Sequence, residues 1–327
     1  MWCNGIDCCN GYEIISYPIN SINIQCINVG SCGYQPNFIF PYTKNFAIYC
    51  VSGCYGGNIN AEWSDNVNIH CGGRGCSSLI TNETVFNVNN AKNVRIDCDR
   101  AGSCPGTRFI ANNVNTFYIR CYIDIPGFAR NCKNIILNIN NVKDTATIIV
   151  NEYAYLGIES GYIYASNANK LTLKCHADLG CKSLNVYPPY LLEYQFDLFC
   201  DRLIQPCINI NINIPTILYS DSYLNLGCGS DSRLKICNGM TINCNDNGNS
   251  NIVNIVYNMD QQRYECDNIN NICCPWRDFN SISKLPTLSP TIKQDIPCDG
   301  ILSINETTPL DSISFTFTNG GEFIGMK

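Results

Sequence analysis

A six-residue pattern that ends in cysteine recurs along this chain and limits its fold more than any other feature. The pattern alternates polar and apolar residues, with clear copies ending at Cys26, Cys71 and Cys98. Counting all copies, the terminal cysteines fall at 26, 50, 71, 98, 121, 175 and 200. The spacings are therefore 24, 21, 27, 23, 54 and 25 residues, and the spacing of 54 is two periods with one cysteine missing. A strand pattern with this period predicts a solenoid of stacked strands.

Each repeat contains at least two strand-like segments. Residues 108–111 and 117–121, for example, lie on either side of the Asn-rich corner 112–115. Strands this short cannot bury an apolar face alone, so they must stack on copies of themselves. The fold class predicted is all-β: a disulfide-rich parallel β-helix solenoid of about ten coils, one strand spacing apart. Inward Ile, Val, Leu and Phe should form columns, and Asn at equivalent corners should form hydrogen-bonded ladders.

The pattern also predicts how the chain is divided. Residues 1–18 lack the repeat and are interpreted as an N-terminal cap, followed by the solenoid over 19–266. Residues 133–174 carry no cysteine, but strand-like segments continue there, so we expect a coil without its crosslink. The pattern is less regular from Cys228 to Cys266. Residues 267–297 are interpreted as a cap and linker, and residues 298–327 as a C-terminal strand arm.

The 24 cysteines predict disulfides and not metal ligation. No Cys-x-x-Cys pair is present, and only His70 and His176 could add imidazole ligands. An even count with short paired spacings is typical of bridges made in an oxidising compartment. Pairing across each corner is favoured, while bridging between adjacent coils stays open, because stacked residues lie within disulfide reach. The disulfide candidates are Cys26, Cys32, Cys50, Cys54, Cys71, Cys76, Cys98, Cys104, Cys121, Cys132, Cys175, Cys181, Cys200 and Cys207.

Other features favour an extracellular protein and exclude two classes of partner. Asn82 and Asn305 begin Asn-x-Thr sequons and are predicted N-glycosylation sites. The net charge is −6 and no basic stripe exists, which argues against nucleic acid as a partner. No apolar run approaches the ~18 residues of a membrane span. No cofactor or metal is expected.

At this point the chain resembles the right-handed parallel β-helix class, the pectin-lyase-like superfold. The resemblance covers about residues 19–266 and rests on repeat architecture. The Cys-to-Cys corners are also similar to those of secreted cysteine-rich repeat proteins of protists and algae. The class includes polysaccharide lyases and hydrolases, and also adhesins, tailspikes and surface-filament subunits. The resemblance therefore implies a fold and leaves the activity open.

The residues that an enzyme of this class would use are only loosely matched. Polygalacturonase-like members use paired Asp residues with a His-Gly and an Arg-x-Lys, but neither histidine here precedes Gly, and Arg233-Leu234-Lys235 stands alone. Lyase-like members use Asp with calcium and an Arg base. The candidates are Asp97, Asp99 and Arg100, and the Asp-Arg pair recurs after Cys200 as Asp201 and Arg202. A second set consists of Glu62, Asp65 and His70. The simpler interpretation of each set is a solvated corner after a strand.

These observations predict a non-enzymatic extracellular structural protein that assembles with copies of itself as a surface filament or sheath subunit. Residues 298–327 could add a strand to a neighbouring copy. An equal alternative is that they fold back as a cap on their own molecule. The competing function is binding or degradation of polysaccharide, since outward Tyr residues can stack on sugars. An adhesin with one flat face is a third option.

Overall fold

The computed structural model describes parts of residues 2–267. Its gaps are residues 4–12, 16–18, 27–31, 33–34, 52, 74, 78–82, 100–101, 123–130, 151–156, 178, 190–194, 201–205, 215–223, 229–236, 238, 247–248 and 259–262. The chain divides into two compact units, Met1–Arg277 and Asp278–Lys327. All of the second unit, including the predicted strand arm, lies outside the described residues.

The first unit contains two β-sheets whose strands alternate along the chain. The first sheet has ten strands in the order β1-β3-β5-β7-β9-β11-β13-β15-β17-β19. Their bounds are β1 (Trp2–Cys3), β3 (Ser21–Cys26), β5 (Asn45–Cys50), β7 (Asn66–Cys71), β9 (Asn93–Cys98), β11 (Thr116–Cys121), β13 (Thr145–Val150), β15 (Lys170–Cys175), β17 (Gln195–Cys200) and β19 (Leu224–Cys228).

The second sheet has twelve strands in the order β2-β4-β6-β8-β10-β12-β14-β16-β18-β20-β21-β22. Their bounds are β2 (Glu13–Ile15), β4 (Asn37–Ile39), β6 (Asn58–Asn60), β8 (Val85–Asn87), β10 (Arg108–Ile110), β12 (Ile136–Asn138), β14 (Tyr162–Tyr164), β16 (Asn185–Tyr187), β18 (Asn211–Ile214), β20 (Thr241–Asp246), β21 (Asn249–Asn258) and β22 (Arg263–Cys266).

Successive turns stack in parallel and in register. Cys50 of β5 lies opposite Cys26 on one side and Cys71 on the other, and the same alignment continues through Cys98 and Cys121. The fold is thus an all-β parallel β-solenoid, with no helix among the described residues. This confirms the fold class, because a cysteine ends every strand of the first sheet except β13, which ends at Val150.

The solenoid has about six turns, so the prediction of about ten coils was too high. Six successive turns, over residues 37–50, 58–71, 85–98, 108–121, 136–150 and 162–175, are described without interruption from the short strand to the long strand. The sequence count assumed that regular turns with a period of 21–27 residues fill the whole range 19–266.

The parallel stack continues at one end of the solenoid and changes at the other. Within residues 1–18, interpreted from sequence as a cap, β1 pairs in parallel with β3 and β2 pairs in parallel with β4. At the other end, β20 pairs in parallel with β18 but antiparallel with β21, and β21 pairs antiparallel with β22. The parallel winding therefore ends at β20, whereas the sequence analysis extended the coils to Cys266.

The core lies between the two sheets and consists of aligned columns. In the first sheet, Ile24, Ile48, Ile69, Ile96, Ile119 and Ile148 form one buried column. In the second sheet, the rings of Phe86 and Phe109 stack with centroids 5.1 Å apart. Burying such a side chain contributes about 1.5–3 kcal/mol, and each copy covers its neighbours above and below. The alternating burial along each long strand is the direct result of the alternating sequence.

Disulfides close the corner that follows seven of the long strands. The structure joins seven of the predicted pairs, with Cα–Cα distances of 5.4–6.3 Å: Cys26–Cys32, Cys50–Cys54, Cys71–Cys76, Cys98–Cys104, Cys121–Cys132, Cys175–Cys181 and Cys200–Cys207. All fourteen of these cysteines are buried. Pairing of these fourteen cysteines is therefore local, within one turn, and not between coils.

Asparagine side chains form ladders along the outside, as the corner composition predicted. At the first position of the long strands, Asn66 donates to Asn45 and accepts from Asn93, both at 3.0 Å. At the corner before these strands, Asn113 donates to Asn90 at 3.1 Å and Asn141 donates to Asn113 at 2.9 Å. Equivalent residues of successive turns thus satisfy one another, as in stacked in-register strands.

Candidate functional site

The outer face of the first sheet carries the residues that sequence analysis singled out. Asp97 lies on β9, and the strand register places it between His70 of β7 and Arg120 of β11. Arg95 lies two residues before Asp97 and therefore on the same face. The face is thus assembled from side chains separated by a whole repeat in the sequence.

Asp97 is the centre of an ion-pair network. Arg95 donates through its Nε to one carboxylate oxygen at 2.8 Å, and Arg120 donates through its Nε to the other at 3.1 Å. The hydrogen bond to Asp97 raises the pKa of Arg95 above its ordinary value. Both oxygens of this carboxylate are therefore occupied by guanidinium groups. A calcium ligand or a catalytic acid would need a free oxygen here.

The two arginines are held from their other side by aromatic rings. The guanidinium carbon of Arg95 lies 5.2 Å from the ring centre of Tyr118, and that of Arg120 lies 3.9 Å from the ring centre of Tyr122. Both are cation–π contacts. The network is thus complete within the protein, which makes Asp97 a stabilising residue of this face.

His70 and Asp99 form a second pair beside this network. The imidazole of His70 stacks on the ring of Tyr49 at 4.1 Å, and its Nε2 lies 3.2 Å from Asp99 Oδ1. The distance allows an ion pair, but the alignment is too poor for a hydrogen bond. Asp99 is only 5% exposed. This carboxylate therefore lies beneath the surface that a polymer substrate would contact.

A shallow groove of about 230 Å³ runs over this face. It is lined by Gln25, Tyr49, Asn68, His70 and Arg95, among others. Its volume is below the usual range of about 300–1,000 Å³ for small-molecule sites.

The second candidate set is divided between two places. Glu62 and Asp65 lie at the corner between β6 and β7, whereas His70 lies on the outer face of β7. Asp65 is paired with Lys92 at 2.7 Å, and the Glu62 carboxylate accepts from Asn60 at 3.4 Å and from Asn89 at 3.5 Å. The structure therefore does not bring Glu62, Asp65 and His70 together as one site.

Sequence analysis missed an exposed aromatic pair at this same corner. Tyr42 and Trp63 are 58% and 53% exposed, and their rings stack with centroids 6.1 Å apart and planes 14° apart. The signal was available, because aligning the cysteine that ends each repeat places Tyr42 and Trp63 at equivalent positions.

Three groups of cysteine sulfurs lie close enough together to suggest metal binding, among them Cys71, Cys98 and Cys104. Each of these sulfurs is already in a disulfide. A metal ligand must be a thiolate, so the groups are the result of stacked bridges and not metal centres.

Several predicted residues lie outside the described part of the chain. These are Arg100, Asp201, Arg202, Arg233 and Lys235 of the catalytic candidates, and the sequon residues Asn82 and Asn305. Their roles stay predictions.

Comparisons of this chain with protein-family models, with curated proteins and with solved structures find no match. Among the described residues there is no helix with the length and apolar character needed to cross a membrane. The fold itself defines the class of protein: a disulfide-rich parallel β-solenoid.

Proposed function

We propose that this chain is a non-enzymatic extracellular structural protein, a β-solenoid that assembles with copies of itself into a surface filament or sheath. The observation that carries the proposal is the column of buried local disulfides. A bridge of this kind closes the corner after each of seven long strands of the first sheet, and each bridge begins at the last residue of its strand. Repeated crosslinks at equivalent places stabilise the whole length of a solenoid, whereas an enzyme needs one rigid site.

The state of the acidic residues supports a structural role. Asp97 is bound by two arginines, Asp65 by Lys92, and Asp99 is buried against His70. Glycoside hydrolysis needs two carboxyl groups that flank the sugar bond, one of them free to donate a proton. The carboxylates of Asp97, Asp65 and Asp99 are instead held by side chains of neighbouring turns.

Extracellular location is part of the same proposal. Disulfides persist in oxidising compartments, and seven buried bridges would be exceptional in a reducing cytosol. Glycosylation at Asn82 and Asn305 would agree with this location. We also propose that the solenoid is of the right-handed, pectin-lyase-like type and is similar to secreted proteins of protists and algae, because parallel β-crossovers are nearly always right-handed.

Self-assembly is proposed to use the edge of the first sheet. Among the described strands, β19 pairs only with β17 and is therefore an edge strand. Edge strands present unpaired backbone groups that can accept a further strand. Residues 298–327, with the alternating segment 313–318, are the proposed donor.

Deletion of residues 285–327 tests this proposal. Electron microscopy of negatively stained protein should show filaments for the full chain and none for the deletion, while circular dichroism shows an unchanged solenoid. Deletion of residues 319–327 alone is the matched control, because it keeps the alternating segment and should leave filaments intact. Filaments that persist without residues 285–327, or a full chain that stays monomeric at all concentrations, would contradict the proposal.

Carbohydrate binding is the second candidate function. It is favoured by the aromatic side chains on the outside of the second sheet, where Tyr164 stacks on Tyr162 at 6.2 Å and on Tyr187 at 4.8 Å. A glycan array, together with an assay for new reducing ends, separates binding from degradation. A release of reducing ends that disappears in Asp99→Ala would make the protein an enzyme.

A further inference from the structure

The corner before each long strand contains one position with left-handed backbone. The residues at this position are Tyr42, Trp63, Asn90, Asn113 and Asn141, with φ values of 58–62°. Asn tolerates this conformation, whereas a bulky residue there is a genuine outlier that costs about 1–2 kcal/mol. Two turns thus carry an aromatic residue where three later turns carry the residue that fits.

The fold gains little from these two aromatic side chains. In the later turns, Asn113 and Asn141 each donate to the preceding Asn of the ladder. Tyr42 and Trp63 leave more than half of their surface in solvent instead of entering the core. Strained residues that do not serve packing are a reason to look for function.

The two rings form a flat apolar surface that is bordered by polar groups. They stack nearly parallel, with planes 14° apart. Glu62 directly precedes Trp63 in the same corner, and the amides of Asn60 and Asn89 reach its carboxylate at 3.4 and 3.5 Å. These long hydrogen bonds leave the carboxylate able to accept from a stronger donor such as a hydroxyl group.

This combination fits a sugar ring. A pyranose has one face of C–H groups, which packs against an aromatic ring, and a rim of hydroxyl groups, which bonds to carboxylates and amides. Glu62 and Asp65 at this corner, and the net charge of −6, disfavour polyanions such as nucleic acid or uronate polymers. We propose that Tyr42 and Trp63 form a stacking platform that binds the pyranose rings of a neutral polysaccharide, with Glu62 accepting hydroxyl hydrogen bonds. This inference does not depend on filament assembly.

Trp63→Asn and Tyr42→Asn test the platform without disturbing the fold. Asn is the residue that Asn90 and Asn113 supply at the same backbone position, so both variants should melt at or above the temperature of the parent protein. The matched control is Ile15→Asn, which removes an exposed apolar side chain from β2 of the second sheet, outside both aromatic surfaces. Full-length protein is assayed by sedimentation with insoluble cellulose, mannan and chitin, and by tryptophan fluorescence during titration with soluble fragments of the polymer that is bound.

The parent and Ile15→Asn should bind at least one of the three polymers and should not bind polygalacturonate. Trp63→Asn should weaken binding by about tenfold or more, which is the loss of one stacked ring. The proposal would be overturned if Trp63→Asn and the parent bind equally well. It would also be overturned if the parent binds none of the three polymers. Self-association that Trp63→Asn abolishes, in a protein that binds no polysaccharide, would assign the surface to a second copy of the chain and would also overturn the proposal.

Discussion

Val150 and Ile158 occupy the two positions that a disulfide fills in neighbouring turns. The register places Val150 between Cys121 and Cys175 at the end of the long strand. Ile158 donates its backbone N–H to Gly180, the residue before Cys181, just as Cys181 donates to Pro206, the residue before Cys207. Both side chains are fully buried. An apolar pair thus replaces the bridge in the turn whose cysteine is missing from the sequence spacing.

The double substitution Val150→Cys with Ile158→Cys should therefore create a further disulfide. A loop of this length predicts a gain of about 2–3 kcal/mol in the free energy of unfolding. Mass spectrometry of the alkylated protein should show no new free thiol, and the melting temperature should rise. Val150→Cys alone is the control and should expose one thiol after unfolding. Two free thiols in the double variant would show that the positions are not equivalent to Cys121 and Cys132.

The backbone position two residues after the second cysteine of each bridge should favour glycine. The residue two places after the second cysteine has positive φ at Gly56, Gly106 and Asn134, and Ser160 has the same conformation two places after Ile158. Ser160→Gly should be more stable than Ser160→Ala by about 1 kcal/mol, because only Gly adopts this backbone without strain. Both variants lose the same hydroxyl group, so urea unfolding compares them directly. Equal stability would argue against a left-handed conformation at Ser160.

The asparagine ladder should contribute modestly to stability. Asn66 makes one hydrogen bond to Asn45 and one to Asn93. Asn66→Ala removes both, and a loss of about 1–2 kcal/mol is expected, at the low end because the ladder is exposed to water. Asn68→Ala, on the exposed face of the same strand, should change the free energy of unfolding by less than 0.5 kcal/mol or so. A larger effect for Asn68→Ala than for Asn66→Ala would place the stabilising contacts elsewhere on this outer face.

Tyr164 should ionise at higher pH than an ordinary tyrosine. Burial raises its pKa above 10.0, and the neighbouring Tyr187 adds to the shift. Because this pKa is raised in the folded protein, the stability that Tyr164 contributes as a neutral phenol is complete below pH 10. It is lost as the pH rises through the folded pKa. In an absorbance titration, Tyr164→Phe should remove a phenolate component that ionises above pH 10. If Tyr164→Phe instead removes a component near the ordinary value, the ring is more accessible to water than the structure shows.

The sequence predicted the repeating parts of this protein because repetition is visible as spacing. Alternation before each cysteine specifies the long strands, and the terminal cysteines specify their register, so Cys50 lies opposite Cys26 and Cys71. The prediction weakened where the period is lost. Residues 249–266 alternate too poorly to show that they turn back as the antiparallel strands β21 and β22.

The candidate site was harder to predict because its contacts join different turns. Asp97 was chosen as a catalytic candidate from its neighbours in sequence, but its second ion pair is with Arg120, one repeat further along. Aligning the repeats on their terminal cysteines places Arg120 at the position equivalent to Asp97, and so identifies Arg120 as its neighbour. Whether such a carboxylate is free or bound depends on side-chain geometry, which the spacing of residues does not contain.

A map of the disulfides in the native protein tests the central account most directly. Proteolysis without reduction, followed by mass spectrometry, should recover Cys71 with Cys76 and Cys98 with Cys104, each within one turn. The sulfurs of Cys26 and Cys54, in adjacent turns, lie only 3.6 Å apart, so the map must distinguish a bridge between turns from the local bridges. Peptides that link Cys26 to Cys54, or free thiols at these positions, would contradict a solenoid held together by local bridges.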